Sequence, residues 1–409
     1  ANTFLTEAYH FKPQSAFVGP VTVRIHEADG SPYEHIMNIT DTVTKLDIQY
    51  NAKYKKRKKE KVDDEDEGND AKKKEKNDSP KVRRLGEVLV SKEDIRNWDL
   101  KEDEPTAVDS ESKDVEVNAD DDKDKAFEWL RFDADNEWIC KMKINLSDEA
   151  LESQLKQDKD VEAQLESIRH FSSVSKPTLY HAKVLLRTLI DSRYYFKIRV
   201  EAAKGLGRIS CEENDHIGMR LLLKCFKFLY CYDNQIVAGY NELDQNQYLP
   251  KPNDFTKFAD MFVSKAILQS LSNVRNKNGD APIELKRILL HIFKYIDNSV
   301  NKFDDTEFYC ELIGCISSLI VASKIEIPSL DMDSSNDSLD LPSAQDSNEE
   351  FVYAAMKELN RCAKMDELSP SHNHEVTKKI LEEKIKFVKI GLAKMNFMDL
   401  LKFTTEETI

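Results

Sequence analysis

The sequence has no CxxC pair, no uninterrupted run of 18 apolar residues and no excess of positive charge. Each absence narrows the reading. Its seven cysteines, Cys140, Cys211, Cys225, Cys231, Cys310, Cys315 and Cys362, are scattered and odd in number. They read as buried or free thiols in a reducing compartment, not as a disulfide framework. Without a long apolar run, no membrane span is indicated. Sixty Lys and Arg stand against 75 Asp and Glu, for a formal charge of −15. That balance argues against a protein coating nucleic acid with its whole surface, so any such contact has to be local. No P-loop, serine elbow, Cys–His motif or GxGxxG following a strand is present either. The chain opens on Ala1 with neither an initiator Met nor a signal-peptide pattern, which leads us to expect an interior fragment of something longer.

What is present amounts to two or three packed units: 409 residues, 40% apolar and 33% charged. In FVGPVTVRIHEADGSPYEHIMNI, Val21, Val23 and Ile25 alternate with Thr22, Arg24 and His26. A turn through Ala28–Pro32 leads to a second strand near Tyr33–Ile39. Leu46–Tyr50 is a candidate third strand, giving a β-meander with one buried face. From about Tyr54 the texture changes to KKRKKEKVDDEDEGNDAKKKEKNDSPK. A short apolar patch at 87–90 precedes a second polar tract, DLKEDEPTAVDSESKDVEVNADDDKDK. Segments this charged do not offset their ordering entropy, so disordered insertions are expected at about 53–83 and 99–126. FEWLRFDADNEWICKMKI (127–144) resumes the alternation as two strands around Asp133–Asn136 and closes a β unit at about residue 145.

From 146 to 409 the chain reads as helical, with a flexible break at about 330–348. Leu285, Ile288, Leu289, Ile292, Phe293 and Ile296 follow helical spacing behind an Asp280 cap and Pro282. Asn253–Asp254 starts a helix carrying Phe255, Phe258, Phe262, Ala266 and Leu271. Two last helices are expected at roughly Glu349–Lys364 and His374–Asn396.

IDSRYYFKIRVEAAKGLGRIS (190–210) places Ile198, Ala202, Leu206 and Ile209 on one helical face, with Ala203 and Gly207 beside them. Glycine within a helix costs roughly 1 kcal/mol relative to alanine, and close approach of a neighbouring helix compensates for it. Aligning Val161 of QDKDVEAQLESIRHF with Ile198 gives a period of 37 residues, slightly short of the ~40–47 of HEAT and armadillo units. The helix–turn–helix resembles a HEAT unit, in which Arg199 satisfies carbonyls or pairs with Asp158 or Asp160. The structural repeat positions are thus Val161, Ile198, Arg199, Ala202, Ala203, Leu206 and Gly207. They serve stacking rather than a ligand.

Other signals dissolve on inspection. HEADG at His26 begins like HExxH but has Gly30 in place of the second His, on a strand. His372 and His374 lack companion ligands and read as part of a helix cap at Ser371–Glu375. DADNE (133–137) lacks the glycine and terminal glutamate of a calcium loop and reads as a β-turn. No catalytic, cofactor-binding or metal residue is assigned. The sharpest charge cluster, Lys53, Lys55, Lys56, Arg57, Lys58, Lys59 and Lys61, leaves three readings open: a solvated linker, a nuclear-import signal or an arm on DNA phosphate.

VTVRIHEADGSPYEHIMNI, NAKYKKRKK, EWLRFDADNEWICK, QLKQDKDVEAQLESIRHF, RTLIDSRYYFKIRVEAAKGLGRIS, LPKPNDFTKFADMFVSKAILQSL and GDAPIELKRILLHIFKYIDNSVNKFDDTEFYCELIGCISSLI together resemble the TATA-box-binding-protein-associated factor 2 family, fungal in style. These are subunits of the general transcription factor TFIID, built like zinc aminopeptidases of the aminopeptidase N type. The likeness covers nearly everything except the charged insertions and the 330–348 break. It implies an α+β multidomain fold, an antiparallel β-sandwich followed by an all-α HEAT-like superhelix, with the enzyme-like half lying upstream. It implies a nuclear scaffold without peptidase activity, cofactor or membrane association, within a hetero-oligomer. TATA-binding-protein-associated factors 1, 8 and 10, TATA-binding protein indirectly, and core-promoter DNA near the initiator are the implied partners. Two rivals stand beside this expectation: the C-terminal half of an active zinc aminopeptidase, and a solenoid transport adaptor.

Overall fold

The computed structural model describes residues 18–26, 32–48, 85–86, 88, 98, 128–140, 142–232, 248–299, 301–327 and 348–394. Both expected insertions, with the lysine run inside the first, lie outside these residues. So does the expected break apart from Asn348. The chain divides into two compact units, Ala1–Arg84 with Glu104–Ala163, and Leu85–Asp103 with Gln164–Ile409.

The first unit holds an antiparallel sheet of β1 (Gly19–His26), β2 (Pro32–Ile39) and β3 (Trp129–Phe132), in the order β2-β1-β3. Register pairs Val23 with His35 on one side and with Phe132 on the other. The expected strand at Leu46–Tyr50 is not formed over Leu46–Ile48, and its last two residues lie outside the described ones. Trp129–Phe132 supplies the third strand instead, on the opposite edge of β1.

The return strand expected after Asn136 is also absent over the described residues. The Asp133 carboxylate accepts the N–H groups of Glu137 (2.9 Å) and Trp138 (3.0 Å). That spends the amides a ladder needs and turns the chain away. Among the described residues there is one sheet, and a second layer of a sandwich is not among them. Of the apolar patch at 87–90, Val88 alone is described, without regular structure.

Burial on β1 also differs from the one-faced expectation. Val21 and Val23 are buried on one face, and His26, with Trp129 and Arg131 of β3, on the other. The end of α1 (Asp148–Gln157) explains the second face. Ser147 caps this helix by accepting from the Ala150 N–H. Asp158, just beyond its last turn, accepts from Trp129 Nε1 at 3.2 Å. Arg131 Nη1 lies 2.6 Å from Asp160 Oδ2. Strand β3 thus docks on the Asp158-x-Asp160 segment after α1 by charge as well as by apolar area.

Helix α2 (Val161–Ser172) leads into the second unit. It is followed by α3 (Leu179–Ile190), α4 (Phe196–Arg208), α5 (Ile217–Tyr230), α6 (Phe258–Ser272), α7 (Ile283–Tyr295), α8 (Thr306–Ser323), α9 (Asn348–Leu368) and α10 (Glu375–Ile390). Helices α4, α6, α8 and α10 pack each on the next to form one layer. Helices α3, α5, α7 and α9 lie against it, with α3 touching α5 and α7 touching α9. Such nearest-neighbour stacking is the hallmark of a repeat array.

Helix α8 is long and apolar enough to cross a bilayer by length and composition. It is a core helix here, burying Leu312, Ile313, Ile316, Leu319 and Ile320.

Several helix starts move from their expected places. Asp254 closes a turn by accepting from Thr256 N (3.0 Å) and Oγ1 (2.6 Å), so α6 begins four residues later at Phe258. Pro282 is itself the residue preceding α7, and Asp280 lies outside the helix, where it receives the Lys286 ammonium at 2.6 Å. Helix α9 runs on to Leu368, and α10 stops at Gly391, whose φ of +85° is a left-handed helix terminator.

Burial also resets the repeat register. Val161 is exposed at the first position of α2, whereas Ile198 is fully buried at the third position of α4. Pairing instead Ala163 with Ile198, Ser167 with Ala202, Ile168 with Ala203 and Phe171 with Leu206 matches fully buried residues throughout. That spacing is 35 residues, two fewer than the alignment on Val161 suggested, and close to the 34 of tetratricopeptide units.

Candidate functional site

The residues singled out at 198–207 form the seam between α4 and its neighbours. Ile198, Ala202, Ala203 and Leu206 are fully buried. Gly207 faces α6: an added Cβ would lie 3.0 Å from the Ser270 carbonyl oxygen and 3.1 Å from its Cβ. The small residues let two backbones approach.

Arg199 is buried in the first turn of α4. Its Nε donates to the Leu189 carbonyl (2.9 Å), one of the four acceptors left over at the end of α3. Its Nη1 reaches Asp260 Oδ1 on α6 at 2.9 Å. The carbonyl contact matches the role expected for this side chain. The carboxylate partner does not, because Asp158 and Asp160 are taken up by Trp129 and Arg131 in the sheet unit.

One turn away, Asp191 caps the same corner. Its carboxylate accepts the Gly86 N–H at 2.9 Å and the Arg193 guanidinium at 2.7 Å. Burial works to raise this carboxyl, but the Arg193 and Gly86 hydrogen bonds outweigh it and hold the group below its ordinary value. Arg199 therefore joins α3, α4 and α6 through the Leu189 carbonyl and Asp260, with the buried Asp191 beside them.

Sequence reasoning missed a second polar clip. The Lys286 ammonium, fully buried on α7, contacts Asp280 Oδ1 (2.6 Å), Ser323 Oγ (2.8 Å) and Asn348 Oδ1 (2.9 Å). It thereby ties α7 to the end of α8 and the start of α9. A lysine within an apolar helical stripe was the only signal available, and it does not name its partners.

Five of the seven thiols are held protonated. Burial pushes Cys225, Cys231 and Cys315 up to about 12, and Cys310 and Cys362 up to about 11. A thiolate nucleophile needs the opposite shift. His26 stacks on Trp129 with ring centroids 4.3 Å apart, and its Nε2 lies 3.8 Å from Asp158 Oδ2. His374 and Asn373 adopt left-handed backbone at the entry to α10, where Asp366 accepts from the Thr377 amide at 3.1 Å. Ser371 Oγ accepts from the Val376 amide at 3.3 Å. Among the described residues, no group of three or more His, Cys, Asp or Glu side chains is placed to hold a metal ion.

Comparison with known proteins adds what the geometry does not. A family model described as "TAF2 Ig-like domain" matches residues 4–147, and one described as "TAF2-like, TPR repeats" matches residues 148–402. The chain is 35% identical over 401 residues to a Schizosaccharomyces pombe protein named "Transcription initiation factor TFIID subunit 2", covering 95% of this chain and 30% of that one. It is 38% identical over 302 residues to the Saccharomyces cerevisiae protein of the same name, covering 73% and 20%. With the Danio rerio protein of that name it shares 23% identity over 362 residues, covering 88% and 24%. The chain thus spans less than a third of the length of these relatives.

Proposed function

The chain belongs to the TAF2 family, and from that premise we propose that it is part of a non-catalytic scaffold subunit of the general transcription factor TFIID. In this reading it takes part in core-promoter recognition at the initiator region and in assembly of the RNA polymerase II preinitiation complex. The observation that carries it is the end-to-end match of two family models over residues 4–402. The seam geometry supports it: the buried charges of the helical unit are spent on joining helices, which suits a surface-bearing array better than a reaction centre.

The finer reading is as follows. Residues 1–145 form a β-sandwich interrupted by charged insertions, and 146–409 a HEAT-like superhelix, as in the C-terminal half of aminopeptidase N-type enzymes. The protein works in the nucleus within a hetero-oligomer. TATA-binding-protein-associated factors 1, 8 and 10 are its partners, TATA-binding protein is met indirectly, and promoter DNA lies nearby. The run Lys53, Lys55, Lys56, Arg57, Lys58, Lys59 and Lys61 serves nuclear import or phosphate contact.

Affinity capture of the full-length protein from nuclear extract, read by mass spectrometry, tests the assembly reading. Co-purification of other TFIID subunits is expected. Their absence, or chelator-sensitive turnover of a fluorogenic aminopeptide by the full-length protein, overturns it. Replacing Lys55–Lys59 by Ser tests the basic run, with loss of nuclear accumulation or DNA affinity expected and unfolding unchanged.

A further inference from the structure

Between residues 55 and 126 the chain is largely charged, yet its Leu, Ile and Trp residues are gathered in one place. Leu85, Leu89, Ile95, Trp98 and Leu100 are the only ones in that span. Charged tracts lack the apolar area that offsets ordering entropy. An apolar island within them is a segment able to dock.

Contacts fix both ends of the island. At one end the Gly86 N–H donates to Asp191 Oδ2 at 2.9 Å, at the corner after α3. Gly86 is itself buried, with φ of +71°, a left-handed conformation that glycine enters without strain. Asp191 is buried as well, and its other oxygen accepts the Arg193 amide at 3.0 Å. At the far end the Trp98 ring lies edge-on to Phe228 of α5, with centroids 5.9 Å apart and planes at 75°. Trp98 is only 8% exposed. A tryptophan buries about 150–250 Å², more than any other side chain of this tract can offer. Leu85 and Val88 are partly buried. The division of the chain agrees: Leu85–Asp103 belongs with Gln164–Ile409, while the chain before and after it belongs with the sheet.

We infer that residues 85–98 are a strap of the helical unit, a short apolar motif carried between two charged tracts and docked in cis on the α3 corner and α5. The other occupation open to the island is a strand of the sheet unit at 87–90. Val88 forms no strand, and the Gly86 amide is committed to a carboxylate rather than to a ladder. The consequence reaches both charged tracts. One ends just before the Gly86 latch and the other begins just after Trp98, so chain connectivity ties each of them at one end to the helical unit. The lysine run at 53–61 therefore sits on a tethered tract, which limits its reach. This reading rests on contacts within the helical unit and stands or falls separately from the assembly role.

The test is hydrogen exchange of the whole 409-residue chain, read by mass spectrometry. Trp98→Ser and Gly86→Val each undo one end of the strap, since valine is strained at positive φ, and neither position lies in a helix. Each should speed exchange roughly tenfold or more at residues 191–194 and 226–230, with β1 and β2 unchanged. A synthetic peptide of residues 84–103 is then added to the Trp98→Ser chain at about 1 mM, the effective concentration of a tethered segment. It should restore the protection, and the same peptide carrying Trp98→Ser should not. Faster exchange in β1 and β2 assigns the island to the sheet and overturns the inference. Indifference of the helical unit to both substitutions overturns it too, as does protection that the parent peptide does not restore. Protection lost on dilution of the parent chain would assign the docked strap to a second copy and likewise overturns it.

Discussion

Gly218 in α5 lies so close to Leu206 in α4 that an added Cβ would stand 2.0 Å from the Leu206 carbonyl oxygen. No side chain fits that distance, and backbone rather than a flexible side-chain end occupies the space. Gly218→Ala must therefore push α5 off α4, a form of overpacking that costs about 1–3 kcal/mol. A lowered denaturant midpoint with secondary structure retained is expected. An unchanged midpoint would mean the two helices do not cross this closely.

Arg199→Ala removes the donor that covers the Leu189 carbonyl and the cation opposite Asp260. A buried acceptor left unmatched costs about 1–3 kcal/mol. Because Asp260 is 41% exposed on its side chain, water can take over that carboxylate, so most of the loss comes from the carbonyl. Asp260→Asn should accordingly cost less than Arg199→Ala in chemical denaturation. The reverse order would place the energy in the ion pair.

Lys286 tests the opposite balance, since its ammonium is wholly enclosed by Asp280, Ser323 and Asn348. Lys286→Met leaves Asp280 without its cation. This carboxylate is 25% exposed and keeps the Ala281 and Asn348 donors, so the loss should fall below the about 3–5 kcal/mol of a fully buried pair broken from one side. Adding Asp280→Asn should recover part of that loss in a double-mutant cycle. No recovery would show that the lysine acts through packing alone.

His26 should make the first unit sensitive to mild acid. Burial lowers its pKa, against the opposing pull of Asp158. A base depressed in the folded state binds its proton more readily when unfolded. Stability is therefore full above the unfolded value of about 6.5 and declines as pH falls through the lower folded value. Hydrogen exchange of β1 amides between about pH 7 and 5 should show faster opening at the acid end, and His26→Phe should flatten that slope. A slope unaltered by the substitution would assign it to other groups.

Asp191, Asp366 and Glu383 add a second, lower transition. Burial acts to raise all three, yet hydrogen bonds to Arg193, to Ser371 and Thr377, and to Lys386, Lys379 and Ser317 leave each below its ordinary value. Their contribution is complete above about pH 4 and disappears as pH falls through the lower folded values. Asp366→Asn should shift the acid midpoint of helical signal toward that of the unfolded carboxylates, since its caps on Ser371 and Thr377 weaken.

The aromatic residues of α6 show how far the linear pattern reaches. Phe258, Phe262, Ala266 and Leu271 share a helical rhythm, and the rhythm identifies the helix. Ala266 and Leu271 are buried while both phenylalanines lie open, because only the neighbouring α4 and α8 decide where cover ends. The repeat behaves likewise. Its small residues at Ala202, Ala203 and Gly207 announced close packing, but the register of 35 residues emerged only from which positions are enclosed.

Local chemistry acts over a few residues, so the sequence by itself determined the helices, the turn at Asp133–Asn136, the β1–β2 hairpin and the lack of a catalytic motif. Spacing, turn propensity and charge density are properties of neighbours along the chain. Tertiary structure alone decided that Arg199 meets Asp260 rather than Asp158, that Lys286 is enclosed, and that β3 joins β1 across more than 100 intervening residues. Those outcomes depend on which surfaces meet through space, where a charge takes whichever partner burial leaves beside it.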